Sequence, residues 1–374
     1  MKKVSKKISA LIFAFIFVAL SLTACNGNSS DNTATEVPSD ASTGESQKEK
    51  TTETKDATVA VSIENQTMSV FDSKMKTISF SGDCGFNDFL KQGGASSESD
   101  LAKFLSKNFV TPVSSLSADG GCSTISTSDS NGNYIFGRNF DWYKCNAMVV
   151  TSTPTDGYKS VSTVNTDFIK LDGYSFNRLS NKTKALLCAY TPLDGMNEQG
   201  LAISMNTIED TDRINQNTKK PDITPTTAVR LILDNASDVP EALKLLQKYD
   251  MHSENQMVHF AISDLFGRRV AVEYVDNEMV ITDTKVLTNS FVCDGKYGTG
   301  TQQSMIRYNM LTNTLNSKDN MSKDDVKSAL ESVSQKNFDD GQTTEWTVIY
   351  NQTKGVAYYY HEENYNNNFT ITLN

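Results

Sequence analysis

The chain has 374 residues, 38% of them hydrophobic, with 35 basic against 45 acidic side chains and a net charge of −10. That length allows a sizeable buried core. An acidic chain without a basic patch excludes a nucleic-acid-binding surface, and it argues against direct docking on anionic lipid headgroups.

The first segment is a targeting signal. "MKKVSKK" is basic, "ISALIFAFIFVALSL" is apolar, and "LTAC" closes the run with small residues at Cys25. That order is a secretory signal peptide, and it resembles a bacterial lipoprotein signal. The resemblance implies cleavage after residue 24, a lipid on the Cys25 thiol and an extracytoplasmic, membrane-anchored protein; a short transmembrane anchor or an ordinary secretion signal is the plainer alternative. Removing the four lysines of residues 1–24 takes the net charge from −10 to −14. Residues 25–57 are rich in Ser, Thr, Glu and Lys and have no apolar periodicity. They cannot bury enough surface to offset chain entropy and read as a disordered tether.

About 315 residues remain for folded structure. Residues 58–121 offer a strand ("TVAVSI") and helical runs ("FNDFLKQ", "SESDLAKFLSKNF"), the latter with a Ser/Asp start suited to an N-terminus. Short β runs follow from residue 122. "PTTAVRLILDNA" and "DVPEALKLLQKY" then read as amphipathic helices, with Asp238 and Pro240 placed as cap and first-turn proline. "MVHFAISD", "RRVAVEYVD" and "EMVITD" return to strands, "SKDDVKSALESVSQ" is a capped helix, and "TEWTVIYN", "GVAYYYH" and "FTITLN" close the chain. Antiparallel hairpins with grouped helices predict an α+β layered domain rather than a doubly wound parallel sheet. The tail "YYYHEENY" reads as strand and surface, and His259, within an apolar run, as a core histidine.

Beyond Cys25 the cysteines are Cys84, Cys122, Cys145, Cys188 and Cys293. Their odd number leaves at least one thiol free or intermolecular, and Cys145 and Cys188 are one possible pair. The spacings match no zinc pattern and the histidines (His252, His259, His361) are scattered, so the sequence invokes no metal or other cofactor.

"GGCSTISTSDSNGNYIFGRNFDW" (120–142) carries the chemistry. Asn131-Gly132 between alternating runs predicts a two-residue type I′ hairpin. That register sets Cys122 opposite Asp141 and Thr124 opposite Asn139, and leaves Arg138 on the other face. Cys122 is then a packing residue, half of a disulfide or a nucleophile; Arg138 and Asp141 form a surface ion pair or belong with it. A carboxylate alone makes a thiol a poorer nucleophile. The arrangement makes sense if the chain breaks before Cys122, because the freed α-amine, with a reference pKa of about 7.7–8.0, then serves as the base for its own thiol. Asp141 would orient the amine and Arg138 would hold the thiolate. Gly120-Gly121 supplies an unhindered bond to cut.

"GCSTIS…GRNFDW" resembles the opening of the choloylglycine hydrolase and penicillin V acylase family of N-terminal-nucleophile hydrolases, which acid ceramidase and its relatives share. The family's spacing, Arg 16 and Asp 19 residues after the cysteine, is met by Cys122, Arg138 and Asp141. "LDGMNEQGLAISMN" (193–206) resembles the block whose last asparagine lends a backbone N–H to the oxyanion hole, here Asn206. "VLTNS" (286–290) resembles the block giving an oxyanion-hole side chain, here Asn289, and "SMIRYN" (304–309) the block with an active-site arginine, here Arg307. Asn206 and Asn289 also fit strand-end caps. The upstream residues 58–121 look like the separate segment of ceramidase-type precursors, and the gap from Asn289 to Arg307 is shorter than in bile-salt enzymes. The resemblance implies a four-layer αββα sandwich over residues 122–374 and hydrolysis of small-molecule N-acyl amides, such as bile-salt conjugates, penicillin V or N-acyl amines and amino acids. An acyltransferase of the same fold, a substrate-binding lipoprotein and a Cys–His protease are the competing readings.

Overall fold

The structure, a computed structural model, describes residues 58–209, 212–338 and 341–373. The signal segment, Cys25 and the tether therefore lie outside the described residues. Two sheets dominate, one of nine strands and one of six. In the larger sheet the order is Ser62–Val70, Met75–Asp83, Ala147–Thr153, Ser160–Asn165, Asp194–Asn197, Ala202–Ile208, Met257–Ser263, Arg269–Val275 and Glu278–Asp283. Neighbours are antiparallel except at one junction, where Met75–Asp83 runs parallel to Ala147–Thr153. The smaller sheet is antiparallel throughout: Val286–Leu287, Gly121–Ser128, Tyr134–Trp142, Thr343–Asn351, Val356–His361 and Phe369–Thr372.

The sheets face each other where Ala202–Ile208 meets Gly121–Ser128. Helices Asn181–Ala189 and Pro225–Asn235 cover the larger sheet, and Gln302–Asn316 and Lys323–Ser332 cover the smaller one. These are the expected four layers. Local chemistry sets the helix ends: Asp238 accepts from Glu241 N–H at 2.8 Å, and Ser322 with Asp325 forms a reciprocal capping box. Gly137 lets the last of these helices lie close, since a Cβ there would sit 2.8 Å from both Leu330 Cδ1 and Val326 Cγ1.

Residues before and after Cys122 share one compact unit. The upstream helices Phe86–Lys91 and Glu98–Phe109 bring Phe86, Phe89, Phe104 and Phe109 around Tyr190, with ring centroids 5.4–5.6 Å from it. Each buried phenylalanine contributes about 1.5–3 kcal/mol. Val113–Leu116 adds a strand pairing with Ile169–Leu171. The C-terminal strand departs from expectation: Tyr359 and Tyr360 are core residues, not surface ones. His259 is buried as expected, between Glu273 and the Thr288 carbonyl.

Candidate active site

Strands Gly121–Ser128 and Tyr134–Trp142 do form a hairpin, but its loop is Asp129–Asn133 rather than two residues. The Asp129 carboxylate accepts from the backbone N–H of Asn131 at 2.8 Å and of Asn133 at 2.9 Å. Gly132 N–H donates to the Asp129 carbonyl, and Gly132 alone of the Asn-Gly pair has positive φ, at 78°. A type I turn followed by a left-handed glycine thus replaces the predicted type I′ turn. The pairing shifts by one residue, which reverses every face assignment along one strand relative to the other. Cys122 lies opposite Phe140, Thr124 opposite Arg138, and Asp141 opposite Gly121. Arg138 therefore shares the face of Cys122, and Asp141 does not.

On the inner face, between the sheets, Arg138 Nη2 donates to Cys122 Sγ at 3.1 Å and to the Met205 carbonyl at 2.9 Å. Its Nη1 pairs with Asp194 on the larger sheet. Asp194 also accepts from Thr163 Oγ1 and Tyr350 OH, each at 2.7 Å, and from Trp346 Nε1 at 3.1 Å. Trp346 stacks on Phe140 with centroids 4.0 Å apart. The guanidinium is buried in this wall, so Arg138 and Asp141 are not an exposed ion pair. Burial works against the charge on Arg138, but Cys122 and Asp194 beside it hold it firmly protonated. Burial also lifts the Cys122 thiol above its ordinary pKa, and Arg138 opposes that rise.

On the opposite face, Asp141 accepts from Thr344 Oγ1 at 2.6 Å and Gln335 Nε2 at 3.1 Å, with Arg307 Nη1 3.6 Å away. Burial raises the pKa of Asp141, and Arg307 offsets part of that. Arg307 reaches from helix Gln302–Asn316 to donate to the Cys122 carbonyl and to Ser123 Oγ, both at 2.6 Å, and to Asn289 Oδ1 at 2.8 Å. Asn289 Oδ1 accepts from Cys122 N–H at 2.8 Å, while its Nδ2 donates to the carbonyls of Thr207 at 2.7 Å and Gly120 at 3.3 Å. Gly120 O also accepts from Thr207 Oγ1 at 2.6 Å. Asn206 stands beside Met205 in the strand, and its side chain donates to Thr288 O at 3.1 Å.

Four of the other five sequence-derived residues, Arg138, Asp141, Asn289 and Arg307, thus converge on Cys122 and the bond before it, and Asn206 follows Met205, whose carbonyl shares Arg138 with the thiol. A cleft of about 290 Å³ opens there, lined by Gly121, Glu209, Asn289, Thr301, Arg307 and Gln335 among others. Asp194, Thr207 and Gln335 escaped the sequence reading. Asp194 had a signal, an acid in the apolar run "LDGM"; Thr207 and Gln335 had none. All five cysteines among the described residues are free, so Cys145 and Cys188 do not pair.

A buried thiol beside a fixed guanidinium thus stands at the foot of a hairpin in one of two facing sheets, within a layered α+β sandwich. Two solved structures share this fold, a mutant and a variant of conjugated bile acid hydrolase from Clostridium perfringens. Each is 19% identical, covering 67% of this chain and 92% of the other, with TM-scores of 0.50 and 0.52. Residues 122–335 match the profile of the linear amide C–N hydrolases, choloylglycine hydrolase family. The chain belongs to that family. Penicillin V acylase of Pectobacterium atrosepticum is 31% identical over 111 residues, which is 26% of this chain; the match spans 30% of the length of that relative.

Proposed function

We propose that the protein is the precursor of a hydrolase of linear carboxamide C–N bonds, with Cys122 as its nucleophile once the Gly121–Cys122 bond is cut. The contact that supports this most is Arg138 Nη2 on Cys122 Sγ, because a fixed cation beside sulfur stabilises the thiolate. In maturation the Cys122 sulfur adds to the Gly121 carbonyl, and the Cys122 nitrogen leaves as an amine, taking a proton. The resulting thioester is hydrolysed by water to a Gly121 carboxylate and the free thiol. The new amine lies beside Asp141, which already borders Gly121.

In turnover the amine takes the thiol proton as sulfur attacks the substrate carbonyl. Asn289 Nδ2, released from Gly120, and the backbone N–H of Asn206 serve as oxyanion donors, a role whose loss costs about 2.7–4 kcal/mol. The ammonium then protonates the leaving amine, and water cleaves the acyl–sulfur bond. Arg307 holds the Cys122 carbonyl and orients Asn289 throughout. The substrate class is small N-acyl amides, including bile-acid conjugates, penicillin V and N-acyl amines or amino acids; an acceptor other than water would make the same site an acyltransferase. The signal, Cys25 and the tether support a lipid-anchored location outside the cytoplasm.

The test is turnover by purified protein on glycine- and taurine-conjugated bile salts, penicillin V and N-acyl amines, with Cys122→Ser beside it. Release of free amine that vanishes in the variant supports the reading. Turnover that survives in Cys122→Ser, or none on any compound, contradicts it.

A further inference from the structure

A second cluster lies away from the Cys122 sulfur but in the same row of the smaller sheet, where Cys122 pairs with Phe140, Phe140 with Trp346 and Trp346 with His361. Glu345, His361 and Glu362 place potential ligand atoms within 4.8 Å of one another. Glu345 occupies an irregular point of its strand, between the Thr344–Asp141 and Trp346–Phe140 pairs. Such a bulge re-aims a side chain. Its Oε2 accepts from Cys145 N–H at 2.7 Å, whereas its Oε1 is buried and has no hydrogen-bond partner among the described residues. His361 matches it. The ring is buried, its Nδ1 is bound to Asp72 Oδ2, and its Nε2 has no partner among the described residues.

A carboxylate can only accept, so a hydrogen sits on Nδ1, and the neutral ring then offers its lone pair at Nε2. Asp72 is itself fixed by the backbone N–H groups of Lys74 and Met75, both at 2.8 Å. Carboxylate, imidazole and open nitrogen in line is the arrangement that orients a metal-ligating histidine.

We propose that Glu345, His361 and Glu362 form a binding site for a first-row divalent cation of the zinc type, with Asp72 orienting His361. One imidazole and two carboxylates suit such an ion better than calcium or magnesium, which prefer all-oxygen shells. An ion about 2.1 Å from each donor sets the donors roughly 3–4 Å apart, within a small side-chain adjustment of the present spacing. Glu362 now lies 3.7 Å from Lys144 and 4.0 Å from Lys74, and both ammonium groups are exposed enough to swing into water as the ion enters.

The site joins two parts of the chain. Asp72 precedes Cys122 and the three ligands follow it, so the ion clamps the upstream segment to the core. The pattern is invisible in sequence because strand pairing, not local spacing, brings 72, 345 and 361 together.

Isothermal titration of the EDTA-stripped full chain with Zn²⁺ tests this. The expected result is one saturable site per chain and a zinc-dependent rise in melting temperature. Glu345→Gln, which keeps an acceptor for Cys145, and His361→Gln should each weaken it by about 100-fold, and Asp72→Asn by about 10–100-fold. His252→Gln should leave it unchanged. Circular dichroism of the metal-free variants checks that they fold. Absence of saturable binding, or equal affinity in Glu345→Gln and His361→Gln, overturns the proposal.

Discussion

The two faces of strand Tyr134–Trp142 carry opposite kinds of polar chemistry. Its inner face presents Arg138 to a buried thiol and a buried carboxylate, walled by Phe136, Phe140, Trp346 and Tyr350. Its outer face presents Asn139 to the Leu330 carbonyl of a covering helix, and Asp141 to Thr344 Oγ1, Gln335 Nε2 and, 3.6 Å away, the Arg307 guanidinium, next to Gly121 at the cleft. Two residues three apart thus serve two different layers, because strand side chains alternate. Both groups are buried, but the partners of Asp141, Gln335 and Arg307, line the cleft, whereas Arg138 is enclosed between the sheets.

The largest effect should come from the inner face itself. Cys122→Ala is expected to abolish both chain cleavage and amide turnover, a loss of at least about 10⁴-fold, read by gel shift and amine release. Next is Asp194→Asn, which strands the Arg138 charge in a dry wall. Breaking a buried pair costs about 3–5 kcal/mol, and urea unfolding should show it; a loss well under that would mean the inner face does not depend on its ion pair. Asn289→Ala joins the two faces and should lower kcat by about 10²–10³-fold with little change in KM.

Outer-face packing should matter less. Gly137→Ala pushes on Leu330 and Val326 and is expected to cost about 1–3 kcal/mol of stability while chain cleavage persists. The smallest effect per step is pH. Burial holds the Cys122 thiol above its ordinary pKa, so the protonated form dominates at neutral pH. Cleavage should then accelerate as pH rises, by up to about tenfold per unit; a flat profile from neutral to alkaline pH would separate the rate from thiol ionisation.

Resemblance to the family's sequence blocks picked out residues that the fold brings together: Cys122, Arg138, Asp141, Asn289 and Arg307 gather at one corner, forming the candidate site, and capped helices such as Val239–Leu246 stand where Asp238 and Pro240 place them. Register was not legible. The Asn-Gly pair argues for a two-residue loop, but the Asp129 carboxylate captures the loop amides, Asn131 keeps ordinary φ and the turn lengthens. That local competition reversed the predicted faces of Arg138 and Asp141. Asp194 reaches the site through sheet-to-sheet packing and Trp346 through pairing with the much earlier strand Tyr134–Trp142, neither of which a short window of sequence encodes. The parallel junction between Met75–Asp83 and Ala147–Thr153 is likewise a long-range pairing that local pattern does not encode.

The upstream segment also shapes the most direct test. Intact-mass measurement and N-terminal sequencing of active protein purified from its host should give one chain beginning at Cys122, with a fragment ending at Gly121 held to it by the shared sheet. A fully active protein whose chain runs unbroken through Gly121–Cys122 would contradict the account.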